Sequence, residues 1–379
     1  MGAMKRSIPV SDVALGPLER EYANEVLSEG AISGLFGKYI PRFESEFSTY
    51  CECAHGIAVS SGTTALHLAL VALDPPLKPG DEVLVSTLTN MATFFAVLYQ
   101  GASPIPIDIE PRTLNMDPAL LERKITPRTR AILAVHLFGH PVDMGPVVDI
   151  ARSHNLAVIE DCAEAHGATY RGRKVGSLGD VGCFSFYANK IITTGEGGML
   201  TTNSGPIAER ARSLRSLAFG RVNKFMHEDI GYNYRLTNLQ AAVGCGQVRQ
   251  IEDIIKGKRR IAHFFNSRFS GVDVLELPTE EPYARNVYWM YHILLRGRFS
   301  ARRSEVLARL ADVGIETREG FVPFSSQQLF IDRGLTKPAD CPVAADVALR
   351  GFYLPSSPRL SDEELDYVAS NVVRILGGT

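Results

Sequence analysis

The sequence has few cysteines, one tryptophan and no long apolar run. Six cysteines in 379 residues are too few for a disulfide scaffold, and the absence of a C-x-x-C pair argues against a zinc site. We therefore expect reduced, mostly buried thiols, no metal, and a cytoplasmic protein. Apolar runs fall short of the about 20 residues that a membrane-spanning helix needs. Residues 1–6 show no apolar segment of a secretory signal.

A charge excess of one sign is also lacking. Forty basic residues against 42 acidic ones give a net charge of -2. Such a chain has no strong field to attract nucleic acid or an anionic membrane, so we expect neither as a partner. A local pocket for one phosphorylated ligand remains compatible with this balance. With 45% hydrophobic residues the chain is an ordinary globular one, and its length predicts two or three domains.

Between residues 55 and 205, short apolar runs alternate with amphipathic stretches. Continuously apolar strands separated by helix-length crossovers indicate a mostly parallel, doubly wound α/β sheet buried on both faces. The predicted strands are 57–60, 82–88, 104–109, 131–138, 157–162, 181–187 and 198–202. The predicted helices are 64–73, 91–99, 118–125, with Asp117 as its N-cap, and 145–154. Ligands of such sheets bind beyond the carboxyl ends of the strands.

A long helical pattern covers residues 238–269, and after Pro278 the order of predicted elements changes. A strand over 287–295 and helices over 304–313 and 362–376 indicate a smaller α+β unit. We therefore expect a large cofactor-binding domain at residues 1–250 and a small C-terminal domain at 251–379.

The segment Ser60–Thr64 (SSGTT) joins a predicted strand to a predicted helix. Gly62 permits a tight turn, and the hydroxyls of Thr63 and Thr64 join the first helical amides at one point. This arrangement suits a phosphate group. An ordinary N-capped helix start explains the same residues equally well, and the absence of a following lysine excludes a Walker A loop.

Two further segments contain side chains that could bind a ligand or act in catalysis. Glu160 and Asp161 stand at the end of a buried strand, where a carboxylate needs a partner. Each is either a structural cap or ion pair, or a group that holds a ligand cation. The strand Phe184–Tyr187 leads into Lys190, which is followed by a glycine-rich turn. A lysine in apolar surroundings has a lowered pKa and can form a Schiff base, although most lysines are surface groups.

A phosphate cradle, an aspartate after a strand and a lysine shortly downstream together fit pyridoxal 5′-phosphate. This cofactor needs an anchor for its phosphate, a carboxylate for its pyridinium nitrogen and a lysine for its aldehyde. The coincidence of the three is a stronger signal than any one of them.

The sequence resembles the DegT/DnrJ/EryC1/StrS family of sugar aminotransferases along nearly its whole length. The matching stretches are SSGTTALHLAL, GDEVLVSTLT, VHLFGHPVDM, VIEDCAEAHGA, GSLGDVGCFSFYANKIITTGEGGM and IGYNYRLTNLQAAVG. The resemblance implies the type I, aspartate-aminotransferase-like fold and a homodimer whose sites are shared between subunits.

Residue roles follow from these motifs by resemblance. Lys190 would be the catalytic lysine that bonds the cofactor aldehyde, and Asp161 would pair with the ring nitrogen. Glu164 occupies the position that contacts the phenolic oxygen, where relatives often have Gln. The residues implied at the phosphate are Gly62, Thr63, Thr64, Ser185 and, from the partner subunit, Asn233. His166 lies beside these groups without an assignable role.

One position departs from the family pattern. Relatives usually place an aromatic residue after the STLT motif, stacked on the cofactor ring, but this chain has Asn90 followed by Met91. The stacking group either comes from elsewhere, or that face is covered by Met91 or left polar. Because the position lies beside the substrate, this difference also bears on which sugar is accepted.

The resemblance implies transfer of an amino group from L-glutamate to a nucleotide-linked keto-sugar, with a GDP-4-keto-6-deoxy hexose as the favoured acceptor. Alternatives are another nucleotide-linked keto-sugar, a cofactor-dependent sugar dehydratase and a non-catalytic regulator. Dehydratases of the family have His at the lysine position, so Lys190 argues for amine transfer. Arg318 and Lys5 are candidate cations for the substrate diphosphate.

Overall fold

The computed structural model describes residues 7–220, 222–227 and 229–377, so Lys5 lies outside the described residues. The helices are α1 (Pro17–Glu29), α2 (Tyr39–Tyr50), α3 (Gly62–Ala72), α4 (Ala92–Tyr99), α5 (Met144–Ser153), α6 (Gly205–Arg215), α7 (Asn238–Phe269), α8 (Arg303–Asp312), α9 (Gln328–Asp332), α10 (Pro342–Arg350) and α11 (Asp362–Gly377). The strands are β1 (His55–Val59), β2 (Glu82–Ser86), β3 (Ser103–Ile107), β4 (Thr129–Val135), β5 (Ala157–Asp161), β6 (Thr169–Tyr170), β7 (Arg173–Lys174), β8 (Val181–Ser185), β9 (Gly198–Thr202), β10 (Leu275–Glu276), β11 (Ala284–Arg285), β12 (Tyr291–Leu295), β13 (Arg318–Glu319) and β14 (Gly351–Leu354).

A seven-stranded sheet in the order β1-β9-β8-β5-β4-β2-β3 forms the centre of the molecule. Strands β3, β2, β4, β5 and β8 pair in parallel with one another, and β9 pairs antiparallel with both β8 and β1. This is the mostly parallel α/β sheet that the sequence predicts. The carboxyl ends of β2, β4, β5 and β8 therefore meet at one edge of the sheet.

Both faces of this sheet are covered. On one face, α3, α4 and α6 pack against outward-pointing strand residues such as Ile57, Val85 and Leu200. On the other face, α2 and α7 pack against residues such as Ala58 and Met199. Burial on both faces explains why the strands are continuously apolar instead of alternating.

The chain after α7 forms a four-stranded sheet in the order β10-β12-β14-β13. Helices α8 and α11 pack on this sheet through a separate apolar cluster. Helix α7 runs without a break across residue 250, where the domain boundary is predicted. That boundary stays a prediction. A third, three-stranded sheet, β11-β6-β7, joins residues 169–174 to residues 284–285.

The prediction of a helix over residues 118–125 is wrong. The structure has two short 3₁₀ turns there, Pro118–Leu120 and Glu122–Lys124. The predicted cap is present, because the Asp117 side chain accepts a hydrogen bond from the Ala119 amide at 3.0 Å. The chain becomes extended at Ile125, shortly before Pro127, and a residue before proline disfavours helix. Too few residues remain for a regular helix.

All six cysteines are free and buried, as predicted. Within the described ranges, no helix combines the length and the apolar character that crossing a membrane requires.

Candidate active site

A cavity of about 350 Å³ opens at the carboxyl edge of the large sheet. Its volume lies within the range of small-molecule sites. Its walls come from the β1–α3 turn, the segment after β2, the end of β5, the loop after β8 and three aromatic residues of the C-terminal part. Of the predicted residues, those that line it are Gly62, Thr63, Asn90, Asp161, Glu164, Ser185 and Lys190.

The β1–α3 turn forms a tight cradle at one end of the cavity. A Cβ on Gly62 would lie 2.7 Å from the Cβ of Ser185, and a Cβ on Gly198 would lie 2.2 Å from the Ser61 carbonyl oxygen. Two glycines are therefore required for the backbone of α3 to approach β8 and β9 so closely. The approach places the first amides of α3 beside the Ser185 side chain, which is the geometry that an anion needs.

Thr63 and Thr64 have different surroundings. Thr63 lines the cavity. Thr64 belongs to the capping box of α3: its amide donates to Ser61 Oγ at 3.1 Å, and its Oγ1 accepts from the Ser61 amide at 3.0 Å. The ordinary N-cap interpretation is thus correct for Thr64, and the cradle exists beside it.

Asp161 is buried at the end of β5 and faces the cavity. Its Oδ2 accepts from the Thr93 hydroxyl at 2.9 Å, and its Oδ1 accepts from the Ala163 amide at 3.1 Å. Burial raises the pKa of this carboxyl above its ordinary value, although these hydrogen bonds and the nearby Lys190 oppose the rise. A cation in the cavity would remove the cost of keeping Asp161 ionised.

Of the two alternatives for Glu160, a structural group or a group that holds a ligand cation, the structure supports the structural one. Its carboxylate accepts hydrogen bonds from the amides of Gly176, Leu178 and Gly179 at 2.8–2.9 Å. His136 adds a fourth, Nε2 to Oε2 at 3.0 Å. Burial opposes ionisation, but these donors together hold the pKa of Glu160 below its ordinary value.

The tautomer of His136 follows from its second contact. The Val142 amide donates to His136 Nδ1 at 3.0 Å, so the proton is on Nε2 and points at Glu160. Cys162 Sγ lies within 4.8 Å of the ligand atoms of His136 and Glu160. The carboxylate oxygens of Glu160, however, already accept hydrogen bonds from three amides and from His136. The cluster therefore serves as an internal hydrogen-bond network.

Glu164 is buried against the cavity, and its Oε2 accepts from the Phe138 amide at 2.8 Å. Phe138 has a φ of 52°, a conformation uncommon for a residue with a side chain, and its ring stacks on His292 with centroids 4.4 Å apart. Burial raises the pKa of Glu164 to about 7, while Lys190 acts in the opposite direction. Its protonation state therefore changes near neutral pH.

Lys190 is oriented toward the cavity beside both carboxylates. Burial lowers the pKa of its amine, and the negative charges of Glu164 and Asp161 oppose this. Its Nζ lies 4.0 Å from the centroid of the Trp289 ring. A lysine with a lowered pKa at a cavity wall has the properties of an amine that reacts with a carbonyl group.

These residues fit pyridoxal 5′-phosphate. Its phosphate matches the cradle at Gly62, its ring nitrogen matches Asp161, and its aldehyde matches Lys190. An independent sign is Asn189 Oδ1, which is buried in the cavity wall and has no hydrogen-bond partner among the described residues. An orphaned buried acceptor of this kind is typical of a site that binds a polar ligand.

His166, left without a role by the sequence, is fully buried away from the cavity. Its ring packs against Phe47, Phe184 and Phe186 with centroids 5.4–6.1 Å apart. Burial lowers its pKa to about 3, so it is neutral at physiological pH. It packs among these aromatic rings, and neither of its ring nitrogens has a hydrogen-bond partner among the described residues.

Two predicted residues of the described chain, Asn233 and Arg318, do not line the cavity. Asn233 is exposed, in a bridge with Ser216, and its predicted contact requires a second subunit. Arg318 is exposed in β13 and pairs with Glu316 at 2.5 Å; its strand neighbour Tyr353 lines the cavity. The roles of Asn233 and Arg318 stay predictions, and Lys5 lies outside the described residues.

Asn90 caps its own helix instead of presenting a ring. Its Oδ1 accepts from the Ala92 amide at 3.0 Å, and its side chain lines the cavity. Aromatic side chains reach the cavity from other segments: Tyr187, Trp289, Phe321 and Tyr353.

Sequence reasoning missed Thr93 and Trp289. Thr93 lies one helical turn after the STLT motif, which follows the carboxyl end of β2. That position in the sequence is the signal that could have indicated Thr93. Trp289 is 100 positions from Asn189, whose carbonyl its Nε1 contacts at 2.7 Å. Nothing local in the sequence indicates that contact.

The fold and the site together define a type I pyridoxal-phosphate enzyme. The comparisons with known proteins agree. The model of the DegT/DnrJ/EryC1/StrS aminotransferase family matches residues 14–373, and the chain belongs to that family. The predicted family, cofactor and aminotransferase class are thereby confirmed.

Relatives cover nearly the whole chain. GDP-perosamine synthase from Caulobacter vibrioides is 40% identical over 370 residues, covering 97% of this chain and 98% of that protein. GDP-perosamine synthase from Escherichia coli O157:H7 is 41% identical over 365 residues, covering 96% and 97%. The solved structure of S. venezuelae DesV in complex with a ketimine intermediate superposes with a TM-score of 0.91 at 33% identity, covering 99% of this chain and all of that one.

Proposed function

We propose that this enzyme transfers an amino group from L-glutamate to a nucleotide-linked keto-sugar, with a GDP-4-keto-6-deoxy hexose as the acceptor. The observation that carries the proposal is the cavity in which Lys190, Asp161 and the Gly62 cradle converge. The two relatives named GDP-perosamine synthase, matched from end to end, support the GDP-linked sugar.

The chain's own residues divide the work. Bound pyridoxal phosphate supplies an electron sink for the carbanion formed at the amine-bearing carbon. Asp161 holds a proton at the ring nitrogen, which keeps that sink effective. Lys190 would hold the cofactor aldehyde, and its Nζ as a free amine would be the base that accepts a proton from carbon and the acid that returns it. Burial, which lowers the pKa of Lys190, favours the neutral amine over the ammonium.

Glu164 is the residue that would contact the phenolic oxygen of the bound cofactor. In its protonated form it can donate a hydrogen bond to the phenolic oxygen, as the Gln of relatives does. In its ionised form it can only accept. We propose that the neutral form is the one that matches the family pattern.

We further propose a homodimer in which Asn233 of each subunit reaches the phosphate in the other. Exposed apolar residues close to it in sequence support an interface: Val222, Phe225, Met226 and Ile230. Several large exposed apolar side chains on one segment commonly mark a contact surface. Arg318, next to the cavity residue Tyr353, is the proposed cation for the substrate diphosphate. Buried free thiols support a cytoplasmic location.

A different nucleotide-linked sugar is the second candidate. It is favoured by Asn90, because a polar side chain occupies the cavity wall where relatives have an aromatic one. A relative of this kind is the dTDP-3-amino-3,4,6-trideoxy-alpha-D-glucose transaminase of Streptomyces venezuelae, 39% identical over 284 residues.

The test is a panel of GDP-, dTDP- and UDP-linked keto-sugars incubated with the cofactor-loaded enzyme and L-glutamate. Mass spectrometry separates the outcomes. Exchange of the keto oxygen for an amine on the GDP-linked 4-keto sugar supports the proposal. Amination of another sugar selects the second candidate, and loss of water without gain of nitrogen indicates a dehydratase and rejects the proposal.

A further inference from the structure

Trp289 is the only tryptophan of the sequence, and its ring lies against the amine of Lys190. The Nζ atom is 4.0 Å from the ring centroid, over the face of the indole. Trp289 is 3% exposed, so its ring is largely removed from water. A cation over a desolvated indole face is a favourable electrostatic contact, since that face carries the negative end of the ring quadrupole.

One hydrogen bond fixes the indole, and another fixes the backbone of the same residue. The indole Nε1 donates to the carbonyl oxygen of Asn189 at 2.7 Å, so Trp289 also holds the backbone immediately before Lys190. The backbone carbonyl oxygen of Trp289 accepts from Nζ of Lys258 at 2.9 Å. Lys258 is a second buried lysine and comes from α7. The ring therefore cannot turn away without breaking a buried hydrogen bond.

We infer that Trp289 is a positioning residue that receives the free amine of Lys190 on its indole face and holds it in place for proton transfer. The inference rests on the proposed function, in which Lys190 must leave the cofactor and then act as base and acid. It concerns the steps in which Lys190 is not bonded to the cofactor.

The physical reason is that a released lysine in this cavity has to change its charge. The groups that face it are the carboxyls of Glu164 and Asp161, with the neutral His166 farther back. A close ion pair with either carboxylate would fix the amine in its charged form. An indole face attracts the ammonium form more weakly than a carboxylate does, and it cannot accept a proton. The amine of Lys190 can therefore stay at the same position in its charged and in its neutral form.

The single tryptophan makes the contact directly measurable in the cofactor-free protein. We expect its fluorescence to change with pH in one step, with a midpoint below the ordinary lysine pKa of about 10.4. In Lys190→Met this step should be absent. If the step persists in Lys190→Met, the inference is overturned.

Two variants serve as controls for the fluorescence step. Lys258→Met removes the other amine that contacts Trp289, and it should leave a step in place. Phe321→Leu removes a ring of the same cavity and should leave the midpoint unchanged. A step that disappears in Lys258→Met but not in Lys190→Met would mean that the tryptophan senses the wrong lysine, and would refute the inference.

Turnover supplies the second readout. Trp289→Leu removes the ring, and we expect kcat to fall roughly tenfold while KM for either substrate changes less than about twofold. Trp289→Phe keeps a ring face and should recover most of the loss. Equal defects in both variants, or a change confined to KM, would contradict a positioning role.

The two proposals fail in different ways. If Lys190→Met abolishes amine transfer but leaves the fluorescence step, the function stands and the indole contact is wrong. If the wild-type enzyme transfers no amine to any keto-sugar, the function fails and the positioning role fails with it, whatever the fluorescence shows.

Discussion

At the scale of single residues, the neighbouring carboxylates of β5 have opposite surroundings. Glu160 accepts four hydrogen bonds from protein donors, whereas Asp161 accepts two and faces an open cavity. The strand alternation directs one side chain into the protein and the other toward the ligand. The sequence alone left both residues with the same two interpretations, because it does not show where donors come from.

Asp161→Asn is expected to impair catalysis without weakening the fold. The amide cannot hold the ring proton, and loss of one partner of a buried charge pair costs about 2–5 kcal/mol, or a fall in kcat/KM of roughly 30-fold or more. Since burial disfavours the ionised Asp161, the cofactor-free variant should unfold no earlier than wild type in a thermal scan.

Glu160→Gln is the matched control. Its NH₂ group would face donors, and each buried group left unsatisfied costs about 1–3 kcal/mol. We expect a lower unfolding temperature, which is the reverse of the Asp161→Asn pattern. Equal effects of the two variants on stability would contradict the roles assigned here.

Glu164 predicts a pH-dependent stability of the cofactor-free protein. Burial raises its pKa to about 7 from an ordinary 4.5, against the influence of Lys190 and of the Phe138 amide. The folded state then binds more protons than the unfolded state between these values, so stability falls as pH rises through that range. Glu164→Gln should be more stable than wild type at about pH 8, by up to roughly 3 kcal/mol.

This difference should shrink toward zero at about pH 4, below the ordinary pKa of 4.5, where the folded and the unfolded wild-type protein both bind the proton. Urea denaturation at the two pH values measures it. A difference of the same size at both would show that Glu164 does not titrate as described.

At the scale of elements, the start of α3 is the part of the site that glycine makes possible. Gly62→Ala places a methyl group 2.7 Å from the Cβ of Ser185. The cradle must then widen, and we expect cofactor affinity to fall roughly tenfold or more, equivalent to about 1.4 kcal/mol. Titration of the cofactor-free enzyme, followed by absorbance, measures this affinity.

Gly205→Ala is the control for that experiment. Gly205 is likewise the first residue of a helix, α6, but among the described residues the nearest atom to its added Cβ is His55 Nε2 at 4.0 Å. The affinity of the Gly205→Ala variant for the cofactor should match that of the wild-type enzyme. If both variants bind the cofactor normally, the cradle is not the phosphate site.

Elements were predictable where local signals agreed. The pattern over 238–269 matches α7, which begins at a capping box of Thr237 and Gln240 and buries a stripe of apolar residues. Residues 118–125 have a good cap at Asp117 but meet an extended Ile125 near Pro127 too soon for a helix. A local cap does not determine how far the helix continues.

At the scale of the whole molecule, Lys190, Asp161 and Gly62 were predictable because each lies at a strand end within a recognisable motif. Trp289 and Tyr353 were not. They reach the cavity from the C-terminal part of the chain, through packing of one sheet against another. Contacts between segments so distant in sequence leave no periodicity or spacing to find.

The proposed dimer predicts a specific loss of assembly. Phe225 is 78% exposed in the segment that also exposes Val222, Met226 and Ile230, and Phe225→Asp should shift the enzyme from twice the chain mass toward the monomer. Leu349→Asp is the matched control, since Leu349 is 69% exposed on α10, and it should leave the mass unchanged. Analytical ultracentrifugation distinguishes these outcomes. A wild-type monomer would rule out a shared site.

The central claim is that pyridoxal phosphate bonds to Lys190 and to no other lysine. Borohydride reduction of the cofactor-loaded enzyme, followed by peptide mass mapping, tests it directly. Lys258 is the informative competitor, because it is also buried and its pKa is lowered to about 7. We predict a phosphopyridoxyl group on the peptide that contains Lys190. The same group on Lys258, or on no peptide, would contradict the account.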